Sequence, residues 1–277
     1  MRRRHGLGML AIFAAVFVAA LALTFPSDAL VRLALSRALP AGGPLVFFER
    51  ARLRPSGLRL DGVDVRDPDG NAAAHADWVV LRPSVAGLLG NGHTGRPWHA
   101  RAATCAGTVE ALVDRDPTGD VVTVSWSEID LARCPVLPAA LRSVRAIAAG
   151  HARAAGGSVE GDLDLRNVTL TGVLPLLPLV RADTASSRWT VAGGRLLLDG
   201  LAIRGPDLEA SGGGTVALAT SAAESGLDLR LTLAPGHGAP LLLRNAILLL
   251  PGAVDGSDAR RIAVTGPAIA PQIVAAP

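Results

Sequence analysis

Leu227-Asp228-Leu229-Arg230-Leu231-Thr232-Leu233 decides how this chain folds. Leucine alternates with a polar residue throughout, a period of two that a helix would scatter around its circumference. In a strand the leucines share one sheet face, and Asp228, Arg230 and Thr232 share the other. The alternation recurs upstream in Leu58-Arg59-Leu60-Asp61, Val63-Asp64-Val65-Arg66, Leu163-Asp164-Leu165-Arg166 and Val168-Thr169-Leu170-Thr171. One covered or ligand-filled face and one wet face is antiparallel-sheet behaviour. Residues 44–277 are therefore expected to form a mainly β domain.

Three of these segments share a loose plan: Gly57 to Val65, Gly161 to Leu170 and Gly194 to Ile203. Each carries alternation through a central pair, Asp61-Gly62, Arg166-Asn167 or Asp199-Gly200. Such a pair can be a tight hairpin turn or a bulge that bends one long strand. Turn residues punctuate the runs at Asp67-Pro68-Asp69-Gly70, Asp116-Pro117-Thr118-Gly119 and Gly205-Pro206-Asp207. Three short helices are predicted, over Ser84–Leu89, Pro138–Ala149 and Ala239–Leu249. The last is too short to span a membrane and is expected to cap the sheet.

Composition sets limits. Hydrophobic residues make up 49% of the 277, enough for a substantial core. Aromatics are only 3% and every Phe lies before Glu49, so the later core must rest on aliphatic side chains. Lys+Arg total 27 against 24 Asp+Glu, and all 27 are Arg. Arg2, Arg3 and Arg4 account for the whole excess, which leaves the chain beyond residue 5 neutral. No clustered basic face of the kind nucleic acid requires is present.

Those three arginines precede an apolar run from Gly6 to Phe25. About 20 helical residues cross a hydrocarbon core of about 30 Å. A basic tail stays on the cytoplasmic side, so the rest of the chain is exported. The expected order is a cytoplasmic tail over 1–5, a transmembrane helix over 6–25, an amphipathic helix and linker over 26–43, and the β-rich domain. The run exceeds the length usual for a cleaved signal peptide, but Ala20-Leu21-Ala22 leaves cleavage open. Phe25-Pro26 ends the span, and Ala29–Leu39 reads as an amphipathic helix that rests on the membrane or packs on the first strands. In an exported chain Cys105 and Cys134 can form a disulfide; two separate buried thiols are the alternative.

Catalytic and metal signatures are weak. Gly90-Asn91-Gly92-His93-Thr94-Gly95 fits a nucleotide-loop pattern in form, but Arg96-Pro97 does not open a helix behind it. No His pair has metal-ligand spacing. Glu160, Asp162 and Asp164 share one strand face and read as a solvated acidic edge. Ser211-Gly212-Gly213-Gly214-Thr215 reads as a strand entry or bulge, and no nucleophilic serine motif is present. Neither cofactor nor enzymatic activity is expected.

The basic start, single span, Phe25-Pro26 exit, short helix, repeated alternating strands and closing Ile262-Ala-Val-Thr-Gly266-Pro-Ala-Ile-Ala-Pro271-Gln-Ile273 together resemble a family. The tail is similar to the closing strand of AsmA-like envelope proteins, and the whole chain resembles the type II secretion system protein N family. Pro267 stands where the closing pattern usually has Thr, and the Cys pair is a further departure. The resemblance implies a curved, elongated antiparallel sheet with an apolar groove, tethered to a bacterial inner membrane and facing the periplasm. It implies an accessory of the type II protein secretion system with other subunits as partners. The alternative is an AsmA-like protein that shields lipid in the groove.

Overall fold

The computed structural model describes residues 28–29, 31–32, 43–54, 57–83, 98–116, 119–137, 143–174, 177–219, 225–252 and 258–276. The predicted span over 6–25, its arginines and the predicted helix over 84–89 lie outside them. Among the described residues no helix is long and apolar enough to cross a membrane. The chain divides into two compact units, Met1–Arg82 and Pro83–Pro277.

The first unit carries a three-stranded meander, β1 (Leu45–Arg54), β2 (Gly57–Arg66) and β3 (Ala72–Pro83), paired antiparallel in chain order. Its turn signal at Asp67-Pro68-Asp69-Gly70 joins β2 to β3. There the Asp67 carboxylate accepts the Asn71 N–H at 2.7 Å, and Asn71 holds that carboxyl below its ordinary value of 3.8. Asp28, Ala29, Val31 and Arg32 are helical and pack on the strands. Val31 is buried with Phe48, Ala51, Leu60 and Val63. Asp28 accepts the Ala51 N–H at 2.6 Å, and the Arg32 guanidinium lies over the Phe48 ring.

The second unit continues as an antiparallel meander of eleven strands, again in chain order. These are β4 (Trp98–Thr104), β5 (Gly107–Asp116), β6 (Gly119–Asp130), β7 (Val144–Ala155), β8 (Ser158–Leu174), β9 (Leu177–Ala192), β10 (Arg195–Arg204), β11 (Leu208–Ala217), β12 (Gly226–Pro235), β13 (Arg260–Pro267) and β14 (Gln272–Ala275). Among the described residues one α-helix, α1 (Leu241–Leu248), and a single 3-10 turn, Leu131–Arg133, accompany them. Helix α1 matches the helix predicted over 239–249.

The helix predicted over 138–149 is corrected. Residues 144–149 belong to β7, and 138–142 lie outside the described residues. Alanine-rich sequence favours a helix locally, but Val144, Ala146 and Ala148 also alternate. Pairing to β6 and β8 on both sides decides the outcome.

All three central pairs lie within strands. Asp199-Gly200 is a bulge, with a register shift between Leu198 and Leu201 and Gly200 at φ +70°. Asn167, at φ +55°, marks a shift between β7 and β8. A third shift in β6 brackets Glu128, also at φ +55°. Each bulge inserts a residue, so the apolar face resumes three residues on: Trp126 to Ile129, Leu165 to Val168 and Leu198 to Leu201. The Arg166 guanidinium pairs with the Glu128 carboxylate across β7 and links two of the bulges. The Ser211–Thr215 segment is corrected too. It lies inside β11 with unbroken register to β12.

Candidate functional site

Directly paired residues in antiparallel strands point to the same face. Across β4 to β14 the registers therefore trace one row: Ala100, Ala111, Val124, Ala152, Gly161, Trp189, Leu198, Gly214, Leu229, Val264, Ile273. All eleven are apolar. At ~4.8 Å per strand the row follows a path of roughly 48 Å along the sheet. None is fully buried; ten are half-buried and Ile273 is exposed. The apolar face of this unit is thus continuous and only partly covered.

Glycines and tryptophans fit together on it. Trp189 lies against Gly161 and Trp126 against Gly150, each directly opposite on the neighbouring strand. A Cβ at Gly161 would sit 2.7 Å from the Trp189 ring, so the missing side chain makes room for the indole.

The face deepens where the strands are longest. Leu163, Leu165, Val168, Val180, Ala182 and Ile203 are among the residues lining an apolar cavity of ≈ 330 Å³ between β7 and β11. Every side chain lining it is aliphatic. Leu131 of the 3-10 turn packs over one margin. Helix α1 covers another, with Leu243 and Ile247 buried on Val180. The opposite side of α1 is apolar yet exposed, with Leu241 at 75% and Leu249 at 85%.

Two polar devices fix these covers. Cys105 and Cys134 are joined in a disulfide. It ties the β4–β5 turn to the residue after the 3-10 turn, and Cys105 O accepts the N–H of Asp130, the residue before that turn, at 2.9 Å. Near α1 the carboxylate of Asp207 is buried at 2% exposure and accepts the Arg181 N–H at 2.8 Å and Nε–H at 3.2 Å. The side-chain hydrogen bond to Asp207 and that carboxylate's charge raise the Arg181 guanidinium above its ordinary value. Gly236 N–H binds Asp207 O, so the Gly205-Pro206-Asp207 turn anchors the approach to α1.

The other face carries charge. Arg101, Glu110, Ser125, His151, Asp162, Arg188 and Asp199 form a second directly paired row across β4 to β10. Arg101–Glu110 is 3.2 Å, Arg188–Asp199 is 4.0 Å, and His151 meets Asp162. Four of these residues line a cleft of ≈ 280 Å³. Asp162 and Asp164 are therefore not on an edge: β8 is flanked by β7 and β9, with Asp162 between His151 and Arg188 and Asp164 between Ala149 and Ser186. His75 lies 2.7 Å from Asp64, and His99 lies 3.9 Å from Glu110. Gly90–Gly95 lies outside the described residues. Among the described residues no three His, Cys, Asp or Glu gather to hold a metal.

Alternation paired Leu163 with Leu165 and Val168 with Leu170; the bulge at Asn167 is what brings the two runs onto one face. It missed Ala182 and Ala185, three apart because β9 changes parity opposite Asn167. It also missed Arg244 and Arg260, which become neighbours of the apolar face only through folding. Comparison with known protein families, with characterised proteins and with solved structures finds no match.

Proposed function

We propose that the protein is an AsmA-like envelope protein that binds lipid acyl chains on the apolar face of β4–β14 and shields them from water. The observation that carries this reading is the uninterrupted apolar row over eleven strands, half-buried rather than sealed, with an all-aliphatic cavity at its deepest part. Apolar surface of that extent is rare on a soluble protein without a hydrophobic partner. A scaffold with a closed core needed helices over both 138–149 and 239–249; the first of these contributes a strand. In this proposal the apolar run over 6–25 tethers the chain to a bacterial inner membrane with the sheet in the periplasm, where a disulfide is compatible with the redox compartment. Native mass spectrometry of the full chain extracted in mild detergent tests it. Bound lipid is expected, and Ala182→Trp, which fills the cavity, is expected to release it. Lipid-free protein would overturn the reading.

A second reading, an accessory of the type II secretion system, is favoured by the closing segment. Ile262–Ile273, on which the resemblance rests, spans the β13–β14 hairpin. Cross-linking in cells that captures secretion subunits on β14 supports it; capture of none counts against it.

A further inference from the structure

We infer that the α1 end of the apolar face holds a subsite for the phosphate of an anionic lipid headgroup, formed by Arg244 and Arg260. The inference rests on the lipid-binding reading and adds the headgroup to it. Arg260 pairs with Leu233, Leu233 with Ala210 and Ala210 with the cavity-lining Ile203. The strand registers therefore put Arg260 on the apolar face. Among the described residues of β7 to β14 it is the one charged residue that they put there.

Its guanidinium donates to the carbonyls of Leu248 at 2.8 Å and Gly252 at 3.4 Å. A cation at those carbonyls suits the negative end of α1 and holds the helix on the sheet. The Nε of Arg260 remains buried without a hydrogen-bond partner, and so does the Nε of Arg244. Arg244 stands four residues before Leu248 on α1, about 6 Å along the axis. Buried donors on charged groups are costly to leave unmade. Asp207, the fully buried carboxylate near this end, is already engaged by Arg181.

Two cationic side chains held at the helix that borders an aliphatic cavity, one on α1 and one bonded to its C-terminal end, fit a ligand with an anionic oxygen group at one end and hydrocarbon at the other. Phosphate oxygens accept charge-assisted bonds from guanidinium well. A free phosphate would meet the arginines but leave the ≈ 330 Å³ cavity unfilled. The lipid satisfies both.

The test uses the full chain in non-ionic detergent, titrated with fluorescent phosphatidylglycerol and with a diacylglycerol of the same acyl chains and label. Phosphatidylglycerol is expected to bind about tenfold tighter, the effect of one charged hydrogen bond. Arg244→Gln is expected to erase that difference and leave diacylglycerol binding unchanged, while Arg244→Lys restores part of it. Arg260→Lys keeps a donor for the Leu248 carbonyl and is expected to weaken the preference without loss of helix by circular dichroism. Equal binding of the two lipids by the unmodified protein, or an unchanged preference in Arg244→Gln, would overturn the headgroup subsite while leaving acyl binding intact. Binding of neither lipid would remove both proposals. Saturable binding of inorganic phosphate that leaves both lipids bound would assign the arginines to a free anion and overturn the headgroup assignment.

Discussion

The first unit and the apolar face of the second are built from the same alternating strands, yet one is closed and the other is covered only in part. In β1–β3, Phe48, Leu60 and Val63 are at most 5% exposed beneath Val31. Along β4–β14 the row from Ala100 to Ile273 contains no fully buried residue. Alternation makes a sheet two-faced; it does not decide whether the apolar face becomes a core or a site. That depends on cover. The first unit has a helical turn pinned by Asp28 and Arg32, whereas the second has α1 and one 3-10 turn over part of a much wider sheet.

The comparison can be broken by mutation. Phe48→Ala in the closed cluster should cost ~3–5 kcal/mol, as truncation of a buried aromatic does. Leu198→Ala on the open face should cost less than about 2 kcal/mol, because its side chain is only half-buried. Chemical denaturation followed by circular dichroism measures both, and equal costs would mean that the open face is a sealed core. Removing the disulfide by Cys105→Ser with Cys134→Ser should cost roughly 3–4 kcal/mol in the chain-entropy model for its sequence separation of 29. A loss confined to the second unit would sharpen the contrast; Trp78 reports on the first unit, and Trp126 and Trp189 report on the second.

Two smaller effects probe local geometry. Cys105 and Ala106 form the two-residue β4–β5 turn with φ of 51° and 64°. Side chains resist that region, so Ala106→Gly should stabilise by about 1 kcal/mol in the same denaturation series. In the first unit, the hydrogen bond from Arg59 at 2.7 Å lowers the Asp61 carboxyl below its ordinary 3.8, aided by the charges of Arg59, Arg52 and Arg50 and opposed by desolvation. A depressed carboxyl stabilises the fold above its unfolded pKa, and that contribution is lost as pH falls through the folded value. Thermal melts of Asp61→Asn should therefore show a flatter pH dependence below about pH 4 than the unmodified chain. Identical slopes would mean that Arg59 contributes nothing through Asp61.

The mainly β architecture was legible because the strand period is local: each Leu-x-Leu run states its own two faces. The turns at Asp67–Gly70 and Gly205–Asp207 were legible for the same reason, since turn residues act over four positions. The 138–149 segment was not, because alanine suits a helix and a crowded sheet face equally. The three-residue steps at Leu165–Val168 and Ala182–Ala185 were hidden by bulges whose pairing partners lie on other strands.

By itself, then, the sequence determined that the chain alternates, that its apolar side chains become almost purely aliphatic after Phe48, and that its charge is balanced beyond the basic start. Tertiary structure decided that eleven strands share one uninterrupted apolar row, that α1 covers only one end of it, and that Arg260 is bonded to the C-terminal end of the helix that carries Arg244. Period-two patterning fixes the face of a residue within its strand, whereas cover and neighbourhood are set by registers and by segments far away in the chain.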